Sequence, residues 1–306
     1  FGWNVAIYEY TIVTGAPGDE SNSGSAHVFV QNGEQWTHQA KLLALDGAAN
    51  DRFGWSVAIY EDDIVVSAWS DDDNGFGGGS AHVFVRSGEQ WTHQAKLLAP
   101  DGAENDFFGE SVAINKNTIV FGAPRDDDNG SDSGSAHVFV RSGEGWTHQA
   151  KLLAQDGATG DLFGYSVAID GDSIVAGAYG DINNRDLSGS AHVFVRSGGE
   201  WVHQAKLLAP DGAPEDLFGE SVAIYEDTIV IGADGDDDNG STSGSAHVFV
   251  RNGEEWEHHA KLLAPDGAAE DNLGHSVALY KDTIVVGAWG DDDIGNLSGS
   301  AHLFVV

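Results

Sequence analysis

Phe53-Gly54-Trp55-Ser56-Val57-Ala58-Ile59 is the stretch on which the reading of this chain turns. Variants of it begin at Phe1, Phe53, Phe108, Phe163, Phe218 and Leu273, at spacings of 52 and then 55 residues. A fixed period of roughly this length marks stacked supersecondary units, none of which can bury its apolar surface alone. The 306 residues therefore read as one domain of repeats 1–52, 53–107, 108–162, 163–217, 218–272 and an incomplete 273–306.

Within the second repeat, the apolar run Val57 to Ile59 and the β-branched run Ile64 to Val66 flank a tight turn at Tyr60-Glu61-Asp62. Asp71-Asp72-Asp73-Asn74-Gly75 opens a glycine-rich loop that ends at Gly79. A third strand is expected from Ala81 to Val85 and a fourth from Trp91 to Leu98. The segment Asp101 to Asp106 then crosses to the next repeat. Taking Ser87-Gly88 as a two-residue turn sets Phe84 opposite Trp91 and His82 opposite His93. The same arithmetic about Asn32-Gly33 pairs Phe29 with Trp36 and His27 with His38. The first two strands are apolar on both faces, so the meander must be covered on both sides. Repeated at a fixed period, such meanders predict an all-β fold, a β-propeller of four-stranded antiparallel blades. Six blades are expected, or seven if the chain continues. The sixth repeat stops after its third strand, Ala301 to Val305, without the Trp-x-His strand of the other five.

The succession Phe-Gly-x-Ser-Val-Ala-Ile, Ile-Val-x-Gly-Ala-x (Ile12 to Pro17, Ile119 to Pro124) and Gly-Ser-Ala-x-Val-Phe resembles the FG-GAP repeat throughout the chain. That repeat builds the propeller of integrin α subunits and of many secreted or surface proteins. The resemblance implies an extracellular or cell-surface location and a binding or adhesion role. One departure bears on metal binding. The integrin family places an Asp-x-Asp-x-Asp-Gly calcium loop between the Phe-Gly and Gly-Ala segments. Here that place holds tight turns such as Asn115-Lys116-Asn117 and Tyr225-Glu226-Asp227.

Forty-nine Asp and Glu stand against 14 Lys and Arg, for a net charge of −35. That balance excludes a nucleic-acid backbone as partner, since it needs clustered cations. Cysteine is absent, so disulfides, thiolate metal sites and a cysteine nucleophile are excluded. No run of 18 apolar residues offers a membrane span. In a four-stranded blade, the loop between strands two and three and the crossover to the next blade leave from the same end. These segments hold 31 of the 49 acids, with Arg52, Arg125 and Arg185 as the cations, which predicts an acidic crown. Calcium needs about six to eight oxygens. The candidate ligands are Asp71, Asp73 and Asn74, then Asp126, Asp128 and Asn129, then Asp236, Asp238 and Asn239, and finally Asp291 and Asp293.

Comparing the repeats with one another isolates two positions where they differ. After Phe-Gly (Leu-Gly in the sixth repeat) come Trp3, Trp55, Glu110, Tyr165, Glu220 and His275. After Gly-Ala (Ser-Ala in the second) come Pro17, Trp69, Pro124, Tyr179, Asp234 and Trp289. The aromatics Trp3, Trp55, Trp69, Tyr165, Tyr179 and Trp289 are candidates for stacking sugar rings or clamping a basic peptide. Their alternative role is packing between blades. The recurring histidine pairs read as a structural ladder rather than a metal site, because no further ligand accompanies them. Symmetry spreads the carboxylates evenly and no one-off catalytic group stands out, so no enzyme is expected. The expected function is an extracellular binding or adhesion module with an acidic, calcium-binding face for protein or cell-surface recognition. Two alternatives remain open. One is a lectin using the crown aromatics. The other is a structural subunit of a larger extracellular or surface assembly.

Overall fold

The computed structural model describes residues 1–182, 187–293, 295 and 298–306. Arg185, counted above among the crown cations, lies outside them. Each of the first five repeats forms one four-stranded antiparallel sheet with its strands in sequence order. In the second repeat the strands are Val57–Tyr60, Asp63–Ala68, Ser80–Ser87 and Gln90–Leu97. The sixth sheet has three strands, Leu273–Tyr280, Thr283–Ala288 and Ser300–Val305. Among the described residues there is no helix, and hence none that is long and apolar enough to cross a membrane. The fold class is the all-β, six-bladed propeller type that the repeats predict.

The chain forms two compact units. The first, Phe1–Asp128 with Ser135–Leu152, holds sheets one to three. The second, Asn129–Gly134 with Leu153–Val306, holds sheets four to six. Inside the first unit, Ala58, Val65, Ala81, Val83 and Leu97 on one sheet meet Phe108, Val112, Ile114, Ile119 and Phe139 on the next. Inside the second unit, Val175, Ala191, Val193 and Leu207 meet Phe218, Ile224, Ile229 and Phe249 in the same way. Each sheet thus offers a face of small and branched side chains on one side and larger rings on the other. Burying each large side chain contributes about 1.5–3 kcal/mol. This packing is why the second strands, such as Ile64-Val65-Val66, are buried on both faces.

The glycines of the repeated motif form the seam between sheets. Gly54 sits at φ +91°, and a Cβ there would collide with the carbonyl oxygen of Ser25. A Cβ on Gly15 would strike the carbonyl oxygen of Gly54. The Gly54 N–H donates to the Ser67 carbonyl at 2.9 Å, and Gly24 bridges Phe53 in parallel. Only glycine allows two backbones to approach so closely. The seam fixes where the residues after Phe-Gly and Gly-Ala emerge.

The third hairpin corrects the predicted register. Ser87 pairs with Gln90, so the turn is Gly88-Glu89, and Arg86 rather than Phe84 faces Trp91. Gly88 has φ +65° and Gly33 φ +64°, as a type II′ turn requires of its first central residue. A bulge between Val83 and Phe84 then sets Phe84 opposite His93 and His82 opposite Lys96. The histidines still meet diagonally, His82 Nδ1 lying 3.0 Å from His93 Nε2. The Phe84–Trp91 and Phe29–Trp36 pairs do not form across the hairpin.

Candidate functional site

Backbone hydrogen bonds join the loop between strands two and three to the crossover that follows the same sheet. In the first unit Arg52 N–H donates to Asn22 O at 3.0 Å, and Asn105 N–H to Phe76 O at 2.8 Å. In the second, Leu162 N–H donates to Asp132 O at 3.1 Å and Glu270 N–H to Ser241 O at 2.8 Å. The two acid-rich segments of each repeat are thereby held side by side.

At the centre of the acidic cluster in each of the first five repeats sits a lysine from the fourth strand. Lys96 Nζ lies 2.8 Å from Asp46, 2.8 Å from Asp71 and 2.6 Å from Asp73. Lys151 repeats the arrangement with Asp101, Asp126 and Asp128 at 2.9, 2.6 and 2.7 Å. In the second unit Lys261 binds Asp211, Asp236 and Asp238, and Lys206 binds Asp156 and Asp181. Lys41 pairs with Asp19 and Glu20 in the first repeat. Burial disfavours the charge on Lys96, but its three carboxylates outweigh this and hold it well above the usual lysine range. The hydrogen bond from Lys96 holds Asp46 below the usual carboxylate range.

The expected calcium ligands therefore do converge, with an ammonium among them. Asp71 and Asp73 close on Lys96, Asp126 and Asp128 on Lys151, and Asp236 and Asp238 on Lys261. The asparagines brace the loops: Asn74, Asn129 and Asn239 donate through Nδ2 to the carbonyls of Ala99, Ala154 and Ala264. In the sixth repeat Asp291 accepts from the Asp293 N–H at 3.0 Å, and among the described residues no lysine pairs with either. Sequence reasoning missed the lysines. Their signal was present, since Lys41, Lys96, Lys151, Lys206 and Lys261 recur at the repeat's own period of 55 residues.

A serine and a histidine pair extend the clusters of repeats one, three, four and five inward. Ser135 Oγ donates to Asp126 at 3.0 Å and lies 3.2 Å from His137 Nε2, and His137 Nδ1 lies 3.2 Å from His148. Burial drives His82, His137, His192 and His247 down to about 4, so they are neutral near pH 7. The ladder is a hydrogen-bonded strut.

The aromatic candidates divide by unit. In the first, Trp3, Trp55, Trp69 and Phe107 form a continuous row with ring centroids 4.7, 5.4 and 4.4 Å apart. Trp3 is 61% exposed, and Trp69 Nε1 is buried without a hydrogen-bond partner. Trp55 Nε1–H donates to Glu110 Oε1 at 3.1 Å. Burial pushes the Glu110 carboxyl up to about 7, against the opposing effects of Trp55 and Arg125. In the second unit Tyr165 and Tyr179 make an edge contact at 4.5 Å, and Trp289 stands 6.1 Å from His275.

The variable positions also meet in the second unit. His275 Nδ1 lies 3.1 Å from Asp234 Oδ2 and 3.2 Å from Glu220 Oε1, and the three ligand atoms lie within 4.8 Å of one another. These hydrogen bonds, first the one His275 donates to Asp234 and then the one to Glu220, raise His275 to about 10. Burial raises Glu220, whereas Asp234 is held low because its hydrogen bonds to His275 and Glu220 outweigh its own burial. The carboxyl pair thus divides its ionisation unequally.

Glycine seams, stacked meanders and lysine-centred acidic loops define a repeat scaffold of the propeller class. The chain belongs to the FG-GAP repeat family, whose sequence model matches residues 1–29, 36–84, 91–139, 146–194, 201–249 and 256–304. Most of these segments begin on the outer strand of one sheet and end on the third strand of the next, so each spans a seam. Integrin alpha-7 of Homo sapiens is 26% identical over 230 residues, covering 67% of this chain and 18% of the integrin. The chain accordingly spans less than a fifth of that relative's length.

Proposed function

We propose that this chain is an extracellular or cell-surface recognition and adhesion module that presents its acidic loops to a cationic protein surface. The observation that carries the reading is the lysine-centred cluster. One ammonium among three carboxylates leaves a net charge of two negatives, as at Lys96 and Lys151. The zipped backbones hold that charge in place, and Asp72, Asp127 and Asp237 stand exposed beside it. A fixed field of one sign steers oppositely charged partners and speeds their encounter. Calcium belongs to this reading as a second counter-ion on the outward oxygens of the aspartate clusters. The reading assigns no reaction to the chain.

The Trp3–Trp55–Trp69–Phe107 row supports a second reading, carbohydrate binding at the end of the row where Trp3 is exposed and Trp55 half-buried. One comparison separates the two. The protein is titrated with a fluorescent arginine-rich peptide at rising salt and applied in parallel to a glycan array. Peptide binding that falls steeply with salt and weakens in D72N/D127N/D237N supports the first reading. Salt-independent or absent peptide binding, with glycan binding abolished by Trp55→Ala, overturns it in favour of the second.

A further inference from the structure

We propose that Glu220, Asp234 and His275 form a site for one divalent transition-metal ion of the zinc type. The donor set is one imidazole nitrogen and two carboxylates, which suits zinc or cobalt. Calcium takes oxygen ligands almost alone. The donor atoms lie close together. Tetrahedral ligands about 2.0–2.2 Å from one ion lie roughly 3.3–3.6 Å from each other; His275 Nδ1 stands 3.1 and 3.2 Å from the two carboxylate oxygens, and all three donor atoms lie within 4.8 Å of one another.

The second observation is unmet hydrogen-bonding capacity at the same place. Asp234 is only 5% exposed, yet its Oδ1 is buried with no hydrogen-bond partner, and Glu220 Oε2 is in the same state. One imidazole N–H and one carboxyl proton between Glu220 and Asp234 cannot satisfy four oxygens, and buried acceptors are rarely left unmet. A divalent ion would neutralise both carboxylates at once.

The backbone holds the three residues where an ion needs them. Glu220 and His275 each follow the glycine of a sheet seam, and Asp234 follows Gly232-Ala233. Gly219 N–H donates to Gly232 O at 3.0 Å, and Asn272 Nδ2 braces the Asp234 carbonyl at 3.4 Å. The imidazole remains reachable, because the His275 side chain is 48% exposed. It lines a hollow of about 280 Å³ with Ser276, Trp289 and Ser300. Three protein ligands leave a position for water or an exogenous ligand on that side. In the first unit the positions after Phe-Gly hold tryptophan or glutamate, and no such triad is found there among the described residues. The site is separate from the lysine-centred clusters and stands or falls independently of the recognition reading.

The test is metal titration of the whole chain after chelator treatment and dialysis. Salt of about 1 M shortens the screening length to about 3 Å and suppresses diffuse ion binding to the acidic surface. Cobalt(II) is followed by visible absorption and zinc by calorimetry. The expected result is one cobalt per chain, displaced by zinc but not by millimolar calcium, with about one proton released as the imidazole is freed. Asp234→Asn and His275→Gln should each weaken binding at least tenfold, and Glu34→Gln, on an exposed hairpin turn outside every cluster, should leave it unchanged. His275 is half-exposed, so H275Q keeps the test valid should D234N fold poorly. Absence of stoichiometric cobalt or zinc binding, equal affinity in H275Q, or displacement by calcium would overturn the proposal.

Discussion

Replacing Lys151 by methionine keeps most of the side-chain stem and deletes the charge at the centre of an acidic cluster. Asp126, only 6% exposed, loses a partner 2.6 Å away. Asp101 and Asp128 lose theirs at 2.9 and 2.7 Å. Removing one member of a buried ion pair costs about 3–5 kcal/mol, because the other charge stays buried. Asp101 and Asp128 are about half exposed (52% and 49%), so water screens their share. The expected loss is about 2–4 kcal/mol. Urea unfolding followed by tryptophan fluorescence measures it, with K116M as control, since Lys116 is exposed on a hairpin turn and should cost within about 0.5 kcal/mol. The three carboxylates left around the vacated centre are then candidate calcium ligands. Calcium at about a hundred times its dissociation constant should restore about 2.7 kcal/mol to K151M through that cluster. A K151M stability equal to that of K116M would refute the claim that this lysine serves as an internal cation. A cost as expected but no calcium rescue would confine the lysine to a structural role.

Two further outcomes follow from the packing. The ring signals of His82, His137, His192 and His247 should not move between pH 7 and 5, because burial holds these groups near 4. Their folded values lie below the free value of 6.5, so the stability they contribute is present above pH 6.5 and lost as pH falls toward 4. It amounts to about 3 kcal/mol each, partly offset by Glu110 and Glu220, which take up protons more readily in the folded chain. NMR titration checks the first point and acid unfolding the second; midpoints near 6.5 would contradict both. Gly54→Ala should prevent close approach of the first two sheets, since φ there is +91° and the new methyl meets backbone. A loss of about 3 kcal/mol or more is expected by circular dichroism melting, and an unchanged midpoint would contradict the seam.

The register of the third hairpin shows how far local sequence carries. Asn32-Gly33 is a strong turn signal, yet the chain turns at Gly33-Glu34 and adds a bulge between Val28 and Phe29. A one-residue choice of this kind depends on which side chains fit between neighbouring sheets, so the Phe–Trp pairing read from arithmetic did not survive. The histidine contacts did, because the bulge restores proximity after the shifted turn.

The repeat length, the four-stranded blade and the placement of acids in two loop sets were legible in the residues alone. All of these are set by residues within a few positions of one another or by a strict period. What stands among those acids, and the seam of glycines between sheets, came from packing. Lys96 reaches Asp46 across 50 residues and Asp73 across 23, and no local pattern links them. The same holds at the symmetry-breaking positions, where His275 and Asp234 are 41 residues apart in the chain. Comparing repeats flagged Glu220, Asp234 and His275 separately. Packing one sheet against the next brought their side chains within bonding distance, because the seam aligns equivalent strand ends of neighbouring sheets.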